Sequence, residues 1–136
     1  MYPVLVETCQ VFDDTQEGAL TNRSRDWFAQ AECDLEQAQA SMDIGRHEWA
    51  CFASHQAAEK AAKALHLAHG QQAWGHVISR LLRDLPPSVA APDHLVERAR
   101  VLDNASSDVN IPARYPNGHP EGAPFEHYGP LQCEEA

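Results

Sequence analysis

Phe52-Ala53-Ser54-His55-Gln56-Ala57-Ala58-Glu59-Lys60-Ala61-Ala62-Lys63-Ala64-Leu65 is the stretch on which the fold turns. It contains no glycine or proline, and alanine, its commonest residue, is the strongest helix former. The helical pattern extends from about His47 to His69, and Gly70 ends it. Trp49, Phe52, Ala53, Ala57, Ala61, Ala64, Leu65 and Ala68 make its apolar face. Eight alanines fall between positions 50 and 68, so another backbone can approach closely and the helix is expected at the centre of the fold.

Upstream, Trp27, Phe28, Ala31, Leu35, Ala38 and Met42 recur at three- and four-residue spacing. This predicts a helix from Arg23 to about Ile44, entered near Thr21 or Asn22 and ended by Gly45. Downstream, Val77, Ile78, Leu81, Leu82 and Leu85 predict a shorter helix from about Gly75 to Leu85, stopped by Pro86-Pro87. A fourth helix is expected from Asp93 to about Ser106, with Leu95, Ala99 and Leu102 as its buried stripe. Residues 109–130 carry Pro112, Pro116, Pro120, Pro124 and Pro130 with three glycines, and are read as one long loop. A helical signal restarts at Leu131 and is cut short at Ala136. The fold class is all-α: an up-and-down antiparallel helical bundle of four main helices, a long Pro/Gly loop and a truncated final helix. Residues 1–22 show no period and are read as an irregular or flexible leader, which puts the domain at 23–136.

One domain is what 136 residues provide. Ten basic against 20 acidic residues give a formal charge of −10, which disfavours general coating of duplex nucleic acid. The excess sits at the ends: residues 1–45 carry −7, residues 46–114 carry +1 and residues 115–136 carry −4. A local basic site in the middle is compatible with that distribution. No apolar run approaches the ~18 residues of a membrane span, and Met1–Gln10 lacks the pattern of a secretory signal. Cys9, Cys33, Cys51 and Cys133 form no CxxC knuckle, which points to reduced thiols in a cytoplasmic protein.

The central helix resembles the signature of the HEPN domain family (higher eukaryotes and prokaryotes nucleotide-binding), in which an aromatic residue precedes a Gln-Ala-x-Glu-Lys-x-x-Lys-Ala-Leu run. Asp34-Leu35 and Ala38 resemble that family's first helix, and His76 with Leu81-Leu82 its third. Arg114-Tyr115-Pro116 resembles the Arg-Tyr-Pro loop of one subgroup. The resemblance covers roughly residues 23–136. It implies a helical bundle that is usually a homodimer. It also implies prokaryotic relatives, often encoded beside a small nucleotidyltransferase in toxin–antitoxin-like modules. Many members are metal-independent ribonucleases with an Arg-x4–6-His motif, and others are binding or assembly modules.

Arg114 and His119 fit Arg-x4-His. Cleavage of RNA through its own 2′-hydroxyl needs proton transfer, which an imidazole supplies, and a cation for the phosphorane, which a guanidinium supplies. The alternative is that Arg114 and Tyr115 anchor the loop and His119 is solvated. Gln56, Lys60 and Lys63, with Arg114 and Tyr115, are the candidate nucleotide- or RNA-binding residues; the competing reading is a solvated helix face on which Glu59 pairs with Lys63. His66, His69 and His76 lack a matching carboxylate or cysteine, so no metal or cofactor is expected and surface positions are. Trp27, Phe28, Trp49 and Phe52 are expected in the core or a dimer seam rather than as base-stacking groups. The first choice is therefore a helical domain binding nucleotide, RNA or a nucleotidyltransferase partner. The alternatives are a ribonuclease toxin and a purely structural dimerisation module.

Overall fold

The computed structural model describes residues 23–105 and 120–129. They form α1 (Ser24–Asp43), α2 (His47–Ala68), α3 (Ile78–Arg83), a 3-10 turn (Pro87–Val89), α4 (Asp93–Ala105) and α5 (Pro124–His127), with no strand among them. The leader, the Arg114–His119 segment and the restarted helix after Pro130 lie outside the described residues.

Both glycine stops behave as expected. Gly45 takes φ 76° and Gly70 φ 74°, left-handed conformations that a side chain resists. The Arg46 amide reaches back to the Ser41 carbonyl at 2.8 Å and the Gly45 amide to Met42 at 3.0 Å. After α2, Gln71 N–H bonds His66 O at 2.9 Å and Gly70 N–H bonds Leu67 O at 3.0 Å. These are Schellman closures, which satisfy carbonyls that a helix end leaves open. The tight turn at Gly45 folds α2 back antiparallel along α1.

The α1/α2 seam is made of alanine. Ala31 and Ala38 are fully buried, and Ala57 and Ala61 are each 1 % exposed. Helices that meet on methyl groups come close together and leave large rings no room between them. Of the aromatics expected in the core or a dimer seam, Trp27 and Trp49 therefore sit at the rim with 38 % and 47 % exposure. Phe28 and Leu35 are partly buried against the alanine seam.

The larger core lies on the other side of α2. Leu65 packs there with Ile78, Leu81 and Leu82 of α3 and with Leu95 and Leu102 of α4. Leu95, Ala99 and Leu102 form the buried stripe of α4 as the sequence predicts. α3 is shorter than expected because its start is set from outside: the Asp103 carboxylate of α4 accepts from the Ile78 amide at 2.8 Å and the Ser79 amide at 2.9 Å. The Pro/Gly region differs from a continuous loop in holding one helical turn, α5, whose entry Ala123 N–H donates to Glu126 Oε2 at 2.8 Å. Tyr128 then packs against the Ala50–Cys51 turn of α2. Burial, followed by the Cys51 thiol, pushes the Tyr128 phenol above its ordinary 10.0.

Candidate functional site

α2 presents two polar faces. The outer one carries Gln56, Lys60 and Lys63; the inner one carries His55 and Glu59. On the outer face Lys60 Nζ pairs with the Asp34 carboxylate of α1. Two depressions meet at Lys60. One, of about 440 Å³, is lined by Asp34, Gln37, Trp49, Phe52, Gln56 and Lys60 among others. The other, of about 450 Å³, is lined by Arg23, Asp26, Trp27, Gln30 and Lys60. Trp49 and Phe52 meet edge to face, with ring centres 5.9 Å apart and planes at 84°. Lys63 Nζ stands 6.0 Å from the centre of the Trp27 ring, a cation–π contact. The outer face is thus a groove with an indole at each end and a lysine between them.

The charges on this face are largely balanced. Asp34 neutralises Lys60, and Arg23 pairs with Asp26 at 2.9 Å. The groove is an aromatic platform with anchored cations, not a field of free positive charge.

The inner face holds a chain of ionisable groups that runs from the core to the surface. Asp103 Oδ1 lies 3.6 Å from His55 Nε2, and His55 Nδ1 lies 3.8 Å from Glu59 Oε2. Glu59 Oε1 accepts from Lys63 Nζ at 2.8 Å and from His76 Nδ1 at 3.0 Å. His55 is fully buried and Glu59 is 6 % exposed. The two His55 contacts are longer than hydrogen bonds, and both ring nitrogens and Glu59 Oε2 are buried without a hydrogen-bond partner. Burial pushes the Asp103 carboxyl up, but the His55 imidazole and the Ser79 and Ile78 donors outweigh it and hold the group below its ordinary 3.8.

Of the residues singled out in the sequence, Gln56 and Lys60 share one depression, and Lys63 reaches inward to Glu59 as the i,i+4 spacing allowed. That pair is part-buried, with the Lys63 side chain 13% and the Glu59 side chain 7% exposed, rather than a solvated surface bridge. Arg114, Tyr115 and His119 lie outside the described residues. His66 is buried rather than on the surface, 3 % exposed, and its Nε2 donates to the Leu81 carbonyl at 2.7 Å, tying α3 to α2. Sequence reasoning missed His55 and Asp103 as members of a site. The signal for His55 was its i,i+4 pairing with Glu59 on a face otherwise made of alanine and leucine; Asp103 gave none, because its partners lie on other helices.

Among the described residues no group of three or more histidine, cysteine or acidic side chains is placed to hold a metal, and no helix is long and apolar enough to cross a membrane. Cys33 is exposed and Cys51 buried, and neither is in a disulfide.

An all-α bundle built on an alanine-rich central helix, with a Gln-x-x-Glu-Lys-x-x-Lys polar edge, defines a class of small helical domains. The chain belongs to the HEPN domain family, whose profile matches residues 24–136. It is similar to TT1696 from Thermus thermophilus, known from a crystal structure, with 53% identity and a TM-score of 0.75 over 85% of this chain and 87% of that one. It is also similar to ST0689, described as an archaeal HEPN homologue, with 39% identity and a TM-score of 0.65 over 85% of this chain and 86% of that one. No curated protein matches the chain.

Proposed function

We propose that the chain is a HEPN domain that binds nucleotide or single-stranded RNA on the α1/α2 groove. One observation carries this: two half-exposed indoles, Trp27 and Trp49, border the adjoining depressions that share Lys60. Exposed aromatic faces stack on bases with little regard to sequence, at ~1–3 kcal/mol per base. Gln56 supplies a hydrogen-bonding edge in the same depression, and Lys60 a phosphate contact once its pair with Asp34 opens. The balanced charge of the groove and the overall −10 favour stacking on unpaired bases over capture of a duplex. As its family resemblance implies, the domain works beside a nucleotidyltransferase partner in a toxin–antitoxin-like module of a prokaryotic cytoplasm.

The test is fluorescence anisotropy of a labelled single-stranded RNA with wild type, Trp27→Ala, Trp49→Ala and Lys60→Ala. Each tryptophan change is expected to weaken binding by about 5- to 150-fold, the equivalent of one lost stack. Wild-type affinity in both tryptophan variants would overturn the reading.

Homodimerisation is the second reading, favoured by Ile44, 77 % exposed at the α1–α2 turn, and Trp49, 47 % exposed in the first turn of α2. Light scattering at micromolar concentration is expected to give twice the chain mass, and Ile44→Asp to reduce it to one.

A further inference from the structure

We propose that His76 contacts a phosphate group of the bound nucleotide or RNA together with Lys63, and that Glu59 is the residue that positions His76. This rests on the reading of the α1/α2 groove as the base-binding surface. The segment before α3 places His76 at the mouth of the buried chain, with its Nδ1 3.0 Å from Glu59 Oε1 and its side chain 67% exposed. Glu59 is acceptor-only when ionised, so the bond requires the proton on Nδ1 and leaves Nε2 as the edge of the ring offered to solvent. A buried carboxylate holding one imidazole nitrogen so that the other faces a ligand is the arrangement that supports histidine in metal and proton-transfer sites.

The local charge selects the ligand. Lys63 shares Glu59 Oε1 at 2.8 Å and balances its charge. With Nδ1 held by Glu59, an Nε2–H of His76 donates outward beside Lys63 Nζ, and two nitrogen donors on one carboxylate suit an oxyanion. Lys63 also stands 6.0 Å from the centre of the Trp27 ring. A nucleoside phosphate with its base on the Trp27 end of the groove thus brings its phosphate toward Lys63 and His76.

The buried groups behind Glu59 are in keeping with this role. Glu59 Oε2 and both nitrogens of His55 lack hydrogen bonds, a state that costs stability at each buried atom and calls for a functional reason. His55 lies between Glu59 Oε2 and Asp103 Oδ1, at 3.8 and 3.6 Å, while Oε1 carries the bonds to His76 and Lys63.

The experiment combines two measurements. Nitrogen-15 NMR of the histidine rings in the unliganded protein is expected to show a proton on His76 Nδ1; a ring protonated on Nε2 alone would overturn the proposal. Calorimetric titration then compares adenosine, AMP and a five-residue RNA lacking terminal phosphates against wild type, His76→Ala and Trp27→Ala. His76→Ala is expected to weaken AMP about 10-fold or more, the size of one charge-assisted hydrogen bond, and to leave adenosine unchanged. An accompanying loss for the RNA assigns an internal phosphodiester, and a loss for AMP alone a terminal phosphate. Unchanged AMP and RNA affinity in His76→Ala, with a loss in Trp27→Ala, overturns the His76 assignment and leaves the groove standing. A loss in His76→Ala without one in Trp27→Ala overturns the groove instead. Wild type that binds neither AMP nor RNA removes both.

Discussion

Replacing Asp103 with alanine tests how α3 and α4 are locked to the central helix. The Asp103 carboxylate accepts from two α3 amides, at 2.8 and 2.9 Å, and faces the buried His55 ring at 3.6 Å. Loss of a helix-capping side chain costs ~0.5–2 kcal/mol, and stripping a buried polar group of its partner ~1–3 kcal/mol. The two overlap, so the expected loss is about 2–4 kcal/mol, or roughly 6–20 °C in Tm for a domain of this size. The pH dependence distinguishes this origin from a generic packing defect. The Asp103 carboxyl is held below its unfolded value of 3.8, so its contribution is complete above that pH and disappears as pH falls through the folded value. Urea titrations of wild type and Asp103→Ala from pH 7 to pH 2.5 are therefore expected to show a constant gap down to about pH 4–5 and a shrinking one below. A gap that widens on acidification, or none at pH 7, would refute the capping argument.

Ala61→Leu is expected to destabilise by about 1–3 kcal/mol in thermal melts, because the α1/α2 seam has room only for methyl groups where Ala61 is 1 % exposed. Gly45→Ala is expected to cost about 1 kcal/mol by the same measurement, since the 76° φ persists while the glycine freedom is lost. If the ribonuclease alternative holds, cleavage of RNA by wild type survives EDTA and leaves 2′,3′-cyclic ends. His119→Ala then loses ~10²–10⁴ in rate, and cleavage that is undiminished in His119→Ala would eliminate that assignment.

The sequence displayed the helices because their signals are local. Gly45, Gly70 and Pro86-Pro87 mark ends, and Leu95, Ala99 and Leu102 repeat at the period of a buried stripe. It did not decide between core and dimer seam for the tryptophans, which occupy stripe positions but stay at the rim of a seam set by Ala31, Ala57 and Ala61. A helical period reports direction and says nothing of how close the partner comes. The shared helix edge of Gln56, Lys60 and Lys63 in the candidate site was legible in their spacing. The inner half was not, since Asp103, His55, Glu59 and His76 come from α4, α2 and the segment before α3, and only the fold joins them. His66 shows the same gap: its bond to the Leu81 carbonyl is a tertiary contact that no local pattern encodes.

The most direct test of the central claim is indole NMR. The protein has three tryptophans, so a titration of nitrogen-15-labelled protein with a short single-stranded RNA follows three indole N–H signals. The groove reading expects the Trp27 and Trp49 signals to shift together along one saturable curve. Saturable binding that leaves both in place would contradict it.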